Sequence, residues 1–148
     1  MRDIKYLVVH CTAGQAQQTT QSIFDYWKYK LGWKSYGYHY LISSDGTIEN
    51  ITPIDKPSNG VAGHNANSIH VCYKGCWNGT DTRTEAQKLA LLKVLTQLKA
   101  KFPKAVILGH RDLSPDLNGD GKITPNEWRK LCPCFDAKKE YAHLTAAV

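Results

Sequence analysis

The chain has 148 residues, 42% of them hydrophobic and 22% charged, the profile of one soluble domain able to bury a core without staples. Its net charge of +6 suits an anionic partner such as an acidic membrane surface or cell-wall polymer; no Arg/Lys tract interleaved with aromatics points to nucleic acid, and no apolar run approaches membrane-spanning length. Met1 to Tyr6 is too short and polar for a signal peptide, so synthesis in the cytoplasm is expected, and the five cysteines read as thiols rather than a disulfide framework.

In chain order, Ile4 to Val9 reads as a buried strand closed by His10. After a polar turn, a helix is predicted from about Thr20, with Ile23, Phe24, Trp27 and Leu31 at helical spacing and Gly32 as its stop. The aromatic run Tyr36 to Ile42 reads as a strand that Asp45-Gly46 turns into Thr47 to Ile51, a β-hairpin. Asp55 to Asn67 reads as a loop and Ser68 to Tyr73 as another buried strand. A helix is predicted over about Thr84 to Phe102, with Thr82 and Glu85 at capping-box spacing and Ala86, Leu89, Leu92, Leu95 (or Val94), Leu98 and Phe102 as its apolar stripe. Pro103 ends it, and Ala105 to Leu108 is a strand delivering His110. The order βαβββαβ predicts an α/β single domain, a mixed central sheet flanked by helices, with its site at the sheet edge. Cys11, Cys72 and Cys76 are expected as buried small hydrophobes or partly exposed thiols.

Two histidines at strand exits and Cys132 further on offer two imidazoles and a thiolate. That set suits zinc, and three protein ligands leave the fourth tetrahedral position open for water, which points to hydrolysis. Lys130, two residues before Cys132, could stabilise an oxyanion; outside this pattern it would read as a solvated surface lysine. Between His110 and Lys130, residues 116 to 127 fit the twelve-residue calcium loop. Asp116, Asn118, Asp120, Lys122 (through its carbonyl) and Glu127 stand at ligand positions, and Gly121 at the turn. Pro115 forbids an ordinary entering helix, so a lone half-site competes with a metal-free Asx/Gly turn.

Several segments come in a familiar order: Val8-Val9-His10-Cys11-Thr12-Ala13, Gly37-Tyr38-His39-Tyr40, Asp45-Gly46-Thr47, Gly63-His64-Asn65, Asn67-Ser68-Ile69, Gly109-His110-Arg111-Asp112 and Lys130-Leu131-Cys132-Pro133-Cys134-Phe135-Asp136. Together they resemble the zinc-dependent N-acetylmuramoyl-L-alanine amidases of the type-2 amidase and peptidoglycan recognition protein superfamily, the small phage lysozyme-type enzymes above all. The resemblance implies that His10, His110 and Cys132 bind zinc, with Cys134 outside the ligand set. It implies that Tyr38 positions or deprotonates the zinc water and that Lys130 stabilises the oxyanion. His39 and His64 could shape the substrate groove or donate to a zinc ligand, and Asn67 would bind substrate. The implied substrate is peptidoglycan or a muropeptide, cut between N-acetylmuramic acid and L-alanine by a monomer without nucleic-acid or membrane partners, released to the wall as phage lysis enzymes are. One competitor is a non-catalytic peptidoglycan-binding module, from which a retained Cys132 argues away. The other is a structural zinc closed by a fourth ligand such as Cys134.

Overall fold

The apolar run after Ile4 forms β1, Tyr6–Cys11, buried at every residue past Tyr6, as a strand covered on both faces requires. The computed structural model describes residues 3–12, 19–32, 36–58, 65–76, 81–113 and 133–144. In it β1 lies between β4 (Ser68–Tyr73) and β5 (Val106–Gly109), parallel to both. β2 (Tyr40–Ile42) pairs in parallel with the far side of β4, and β3 (Ile48–Asn50) is the antiparallel edge. The order is β3-β2-β4-β1-β5, the mixed sheet that the sequence predicts. Of the aromatic run over 36–42, only Tyr40–Ile42 joins as a strand; Tyr36 instead stacks on Phe24, ring centroids 4.4 Å apart. The hairpin turn stands as read, with Gly46 at φ +88°, and a Cβ there would lie 3.2 Å from Ala86.

Alternation along the strands sorts their side chains onto two faces. Leu7, Val9 and Cys11 of β1 join the larger core with Ile69, Val71 and Tyr73 of β4. Against it pack α2 (Glu85–Lys101) and α3 (Ala137–Glu140). Cys72 faces the other way, and with Leu41 it meets Ile23 and Trp27 of a helix that starts as α1 (Thr20–Asp25) and widens into a π-helical turn, Tyr26–Lys30. Val8 packs with Leu108 on that face. His10, two residues on from Val8, shares it. Among the described residues no helix is long and apolar enough to cross a membrane.

The cap and phase of α2 differ from the sequence reading. The capping box is Thr84 with Gln87, not Thr82 with Glu85, because the Thr82 hydroxyl accepts the N–H of Cys76 at 2.8 Å. The buried stripe is Gln87, Ala90, Leu91, Val94, Leu95 and Leu98, whereas Leu89 is 68% exposed and Leu92 36%. Gln87 sets this rotation: its amide donates to the carbonyls of Ile42 (3.3 Å) and Lys74 (2.9 Å) and its oxygen accepts from Thr84 N–H (3.0 Å). A buried polar group with all its partners fixes a helix about its axis, since leaving them unpaired costs about 1–3 kcal/mol.

The C-terminal segment is fastened by Arg83. Its guanidinium lies 3.4 Å from the centroid of Phe135 and donates to Asp81 (2.9 Å) and Glu140 (2.6 Å). The Arg83 hydrogen bond holds the Glu140 carboxyl below the usual range. At Asp81 burial pushes upward, but the bonds from Arg83 prevail and lower it. The cysteines correct the thiol reading: Cys76 and Cys134 are joined in a disulfide, while Cys11 and Cys72 are buried outside it. While the bridge is closed, Cys134 has no thiolate to offer as a fourth ligand in a structural zinc site.

Candidate active site

Parallel pairing puts the two histidines side by side. Val9 stands opposite Gly109, so His10 near the end of β1 and His110, opening the 3₁₀ turn His110–Leu113, are level on adjacent strands. His10 lies within β1 rather than closing it. The two rings have centroids 4.8 Å apart at 68°. Two imidazoles sharing a zinc at about 2.0–2.1 Å per nitrogen put their centroids roughly 5 Å apart, so the pair fits that ion. Asp112 caps the turn, its Oδ2 accepting Gly109 N–H at 2.8 Å.

Tyr38 flanks the pair: its ring is 5.0 Å from that of His10 and 5.4 Å from that of Trp27. Its hydroxyl stands 3.5 Å from the carbonyl of Cys11. Cys132, Lys130 and His64 lie outside the described residues, as does the whole of 116–127. The residue after Cys132 is placed, however. Pro133 packs so tightly on Gly109 that a Cβ there would stand 2.6 Å from Pro133 Cδ, and the carbonyl of Pro133 accepts the Tyr73 hydroxyl at 2.6 Å. The chain leaving Cys132 is therefore anchored against the residue just before His110. Gly109→Ala should displace Pro133, cost about 1–3 kcal/mol as overpacking does, and lower the melting temperature. Calorimetry checks this; an unchanged melting temperature would show that the turn yields freely.

Two of the residues read as possible groove or ligand-supporting groups are placed as follows. His39 is fully buried; its Nε2 meets the Lys56 carbonyl at 2.6 Å, and its Nδ1 accepts the N–H of His70 at 3.0 Å beside the Ser58 hydroxyl at 3.2 Å. It pins the 56–58 loop to β4. Asn67 receives Lys5 N–H on its carbonyl and donates its amide to Asp3 O at 2.9 Å. That level is five residues of strand from His10, about 16 Å, at the opposite end of the sheet.

The sequence reading missed His70 and Asn65. His10 Nε2 lies 2.8 Å from His70 Nδ1, and His70 Nε2 lies 2.9 Å from Asn65 Oδ1. With the Asn65 oxygen accepting from Nε2–H, His70 Nδ1 is an acceptor, so His10 donates through Nε2 and keeps its lone pair on Nδ1. Carboxamide-to-histidine relays of this kind orient metal-bound imidazoles. The available signal was a histidine inside the apolar run of β4, on the same face as His10. Cys72, nearby, has its thiol pushed well above the ordinary range, by burial first and by neighbouring Cys11 next, so it stays protonated.

Residues 1–134 match the N-acetylmuramoyl-L-alanine amidase family model. A Haemophilus influenzae protein described as uncharacterized is 49% identical over 96 residues, 62% of this chain and 83% of that protein. The endolysin of Enterobacteria phage K11 is 33% identical over 139 residues, 88% of this chain and 81% of that one. Among solved structures, the Ph2119 endolysin from a Thermus scotoductus bacteriophage has the same fold, with a TM-score of 0.74 at 24% identity, covering 99% of this chain and 88% of that one. A paired-histidine sheet edge, an anchored turn after Cys132 and a family match over most of the sequence converge: the chain belongs to the N-acetylmuramoyl-L-alanine amidase family and is a hydrolase of the peptidoglycan amide bond.

Proposed function

We propose that His10, His110 and Cys132 hold one zinc ion and that the chain uses it to cut the amide between the lactyl group of N-acetylmuramic acid and L-alanine. The observation that carries this reading is the His10–His110 pair, 4.8 Å apart at the sheet edge, with Pro133 packed on Gly109 beside it. Zinc, when bound, supplies a water with its pKa lowered to about 7 and a Lewis acid for a carbonyl oxygen. Tyr38, whose ring lies against His10, would position that water through a hydrogen bond to its phenol hydroxyl. Lys130 Nζ holds the substrate carbonyl oxygen as it gains negative charge. The protein is made in the cytoplasm, acts as a monomer and reaches the wall by phage-type release; His64 contacts the glycopeptide. Release of L-alanine amino termini from purified peptidoglycan, with and without a zinc chelator, tests the reading. Chelator-insensitive release would remove zinc, and retained binding without release would leave a recognition module.

His70 serves His10. His70→Ala should weaken zinc about 10–100-fold, the usual effect of losing an orienting partner, measured by chelator competition; unchanged affinity would assign His70 to packing alone. The 116–127 loop is assigned to calcium on its sequence pattern, through Asp116, Asn118, Asp120, Lys122 and Glu127. Calcium added to zinc-saturated protein should raise the melting temperature and the activity together, by ordering the segment before Lys130. A flat titration in both would sink the assignment.

A further inference from the structure

Three sulfurs meet on the face of the sheet opposite His10. The Sγ atoms of Cys11, Cys76 and Cys134 all lie within 4.8 Å of one another. They come from three separate segments: Cys11 is the last residue of β1, Cys76 follows β4, and Cys134 stands two residues past Cys132. Cys76 and Cys134 form the disulfide, Cα atoms 6.0 Å apart, inside the usual range for a bridge.

The backbone around the cluster is held in an uncommon conformation. Cys76 and Cys134 have φ of +69° and +72°, left-handed values that are unfavourable for an L residue and persist where neighbouring contacts enforce them. Those contacts are present. Thr82 accepts Cys76 N–H at 2.8 Å, and Thr12 accepts Gly75 N–H at 3.0 Å while its own N–H reaches Tyr73 O at 3.1 Å. Tyr73 donates to Pro133 O at 2.6 Å, just before Cys134. Thr12 follows Cys11 directly, so one set of bonds fixes all three cysteines together. A simple staple needs two of them, and the third sulfur sits within reach of both.

We propose that Cys11, Cys76 and Cys134 form a thiol–disulfide exchange site, in which the bridge passes from Cys76–Cys134 to a pair containing Cys11, and which external dithiols open. In the internal step the Cys11 thiolate attacks Sγ of Cys76, the bond to Cys134 breaks, and Cys134 leaves as a thiolate that takes up the proton Cys11 gave. No net oxidation occurs. An external dithiol supplies two electrons and two protons to open the bridge into two thiols, and itself becomes a disulfide. Cys134 is two residues from Cys132, so the bridge sets how firmly the turn carrying the third ligand is tethered to β4. This last consequence rests on the zinc reading; the exchange chemistry does not.

Bridge mapping tests it. Full-length wild type, Cys11→Ala, Cys76→Ala and Cys134→Ala are equilibrated in glutathione buffers, trapped by alkylation and mapped by non-reducing peptide mass spectrometry, with circular dichroism to establish folding. Wild type should carry Cys76–Cys134. Cys134→Ala should form Cys11–Cys76, and Cys76→Ala should form Cys11–Cys134. Cys11→Ala should keep the original bridge, still open to external dithiols, and lose the internal transfer. Cys11 alkylated as a thiol in every folded variant would overturn the proposal and leave a static staple. Uptake of cadmium by the reduced wild type, with a thiolate charge-transfer band absent from Cys11→Ala, would also overturn it, in favour of a metal site. Bridge mapping needs no turnover, so a protein inactive on peptidoglycan with these bridges intact would fail the amidase reading and keep the exchange site.

Discussion

Cys132→Ala should release no L-alanine amino termini from peptidoglycan above the level of chelated wild type. The substitution removes the one thiolate from the proposed zinc set, whose other members, His10 and His110, are paired 4.8 Å apart. Two neutral imidazoles hold zinc far more weakly than two imidazoles and a thiolate, so metal content after dialysis should fall well below one equivalent. Metal charge stabilisation is worth several kcal/mol, and about 4 kcal/mol is roughly a thousandfold in rate. The fold should survive, because the neighbouring turn keeps the Cys76–Cys134 bridge, the Pro133 contact with Gly109 and the Arg83 clamp on Phe135 and Glu140. Activity near wild type with zinc retained would mean that another donor completes the site. Far-ultraviolet circular dichroism and metal analysis on the same sample separate loss of zinc from loss of structure.

Lys130→Ala should behave differently: zinc stays at one equivalent, KM changes little, and kcat falls about 10² to 10³, the typical effect of removing one oxyanion donor. An interaction made mainly in the transition state lowers kcat and kcat/KM together. Measuring zinc content beside both kinetic constants therefore distinguishes an oxyanion donor from a residue that merely supports Cys132. Lys130→Arg keeps the charge on a longer, planar head group, and should recover only part of the rate. Full turnover in Lys130→Ala would remove the residue from the chemistry.

Much of the scaffold was legible because it depends on local pattern. The runs into β1 and β5 are apolar, β1 as a strand buried on both faces must be, and β4 runs over the predicted Ser68–Tyr73. Asp45-Gly46 identified the hairpin through the one residue that tolerates its φ of +88°. Residue types whose chemistry is unusual at a strand exit, His10 and His110, pointed to the sheet edge.

What stayed hidden depends on contacts between segments far apart in sequence. A helix rich in leucine offers two apolar stripes, and only the partners of Gln87 on β2 and after β4 choose between them. His39 and Asn67 sit in segments with a familiar order, but burial and strand level place one under the 56–58 loop and the other at the far end of the sheet. His70 reads as one more core residue until parallel register sets it beside His10. Residue chemistry alone left the cysteines as thiols, yet three-dimensional proximity joins Cys76 to Cys134 across 58 residues of chain.

The sequence by itself therefore determined the strands, the helices and the amidase family, because periodicity and residue chemistry are local properties. Tertiary structure alone decided which side chains meet. It paired His10 with His110, gave His10 its His70–Asn65 support and gathered three sulfurs behind the sheet. Strand order and register, which set those encounters, arise from packing of the whole core rather than from any one segment.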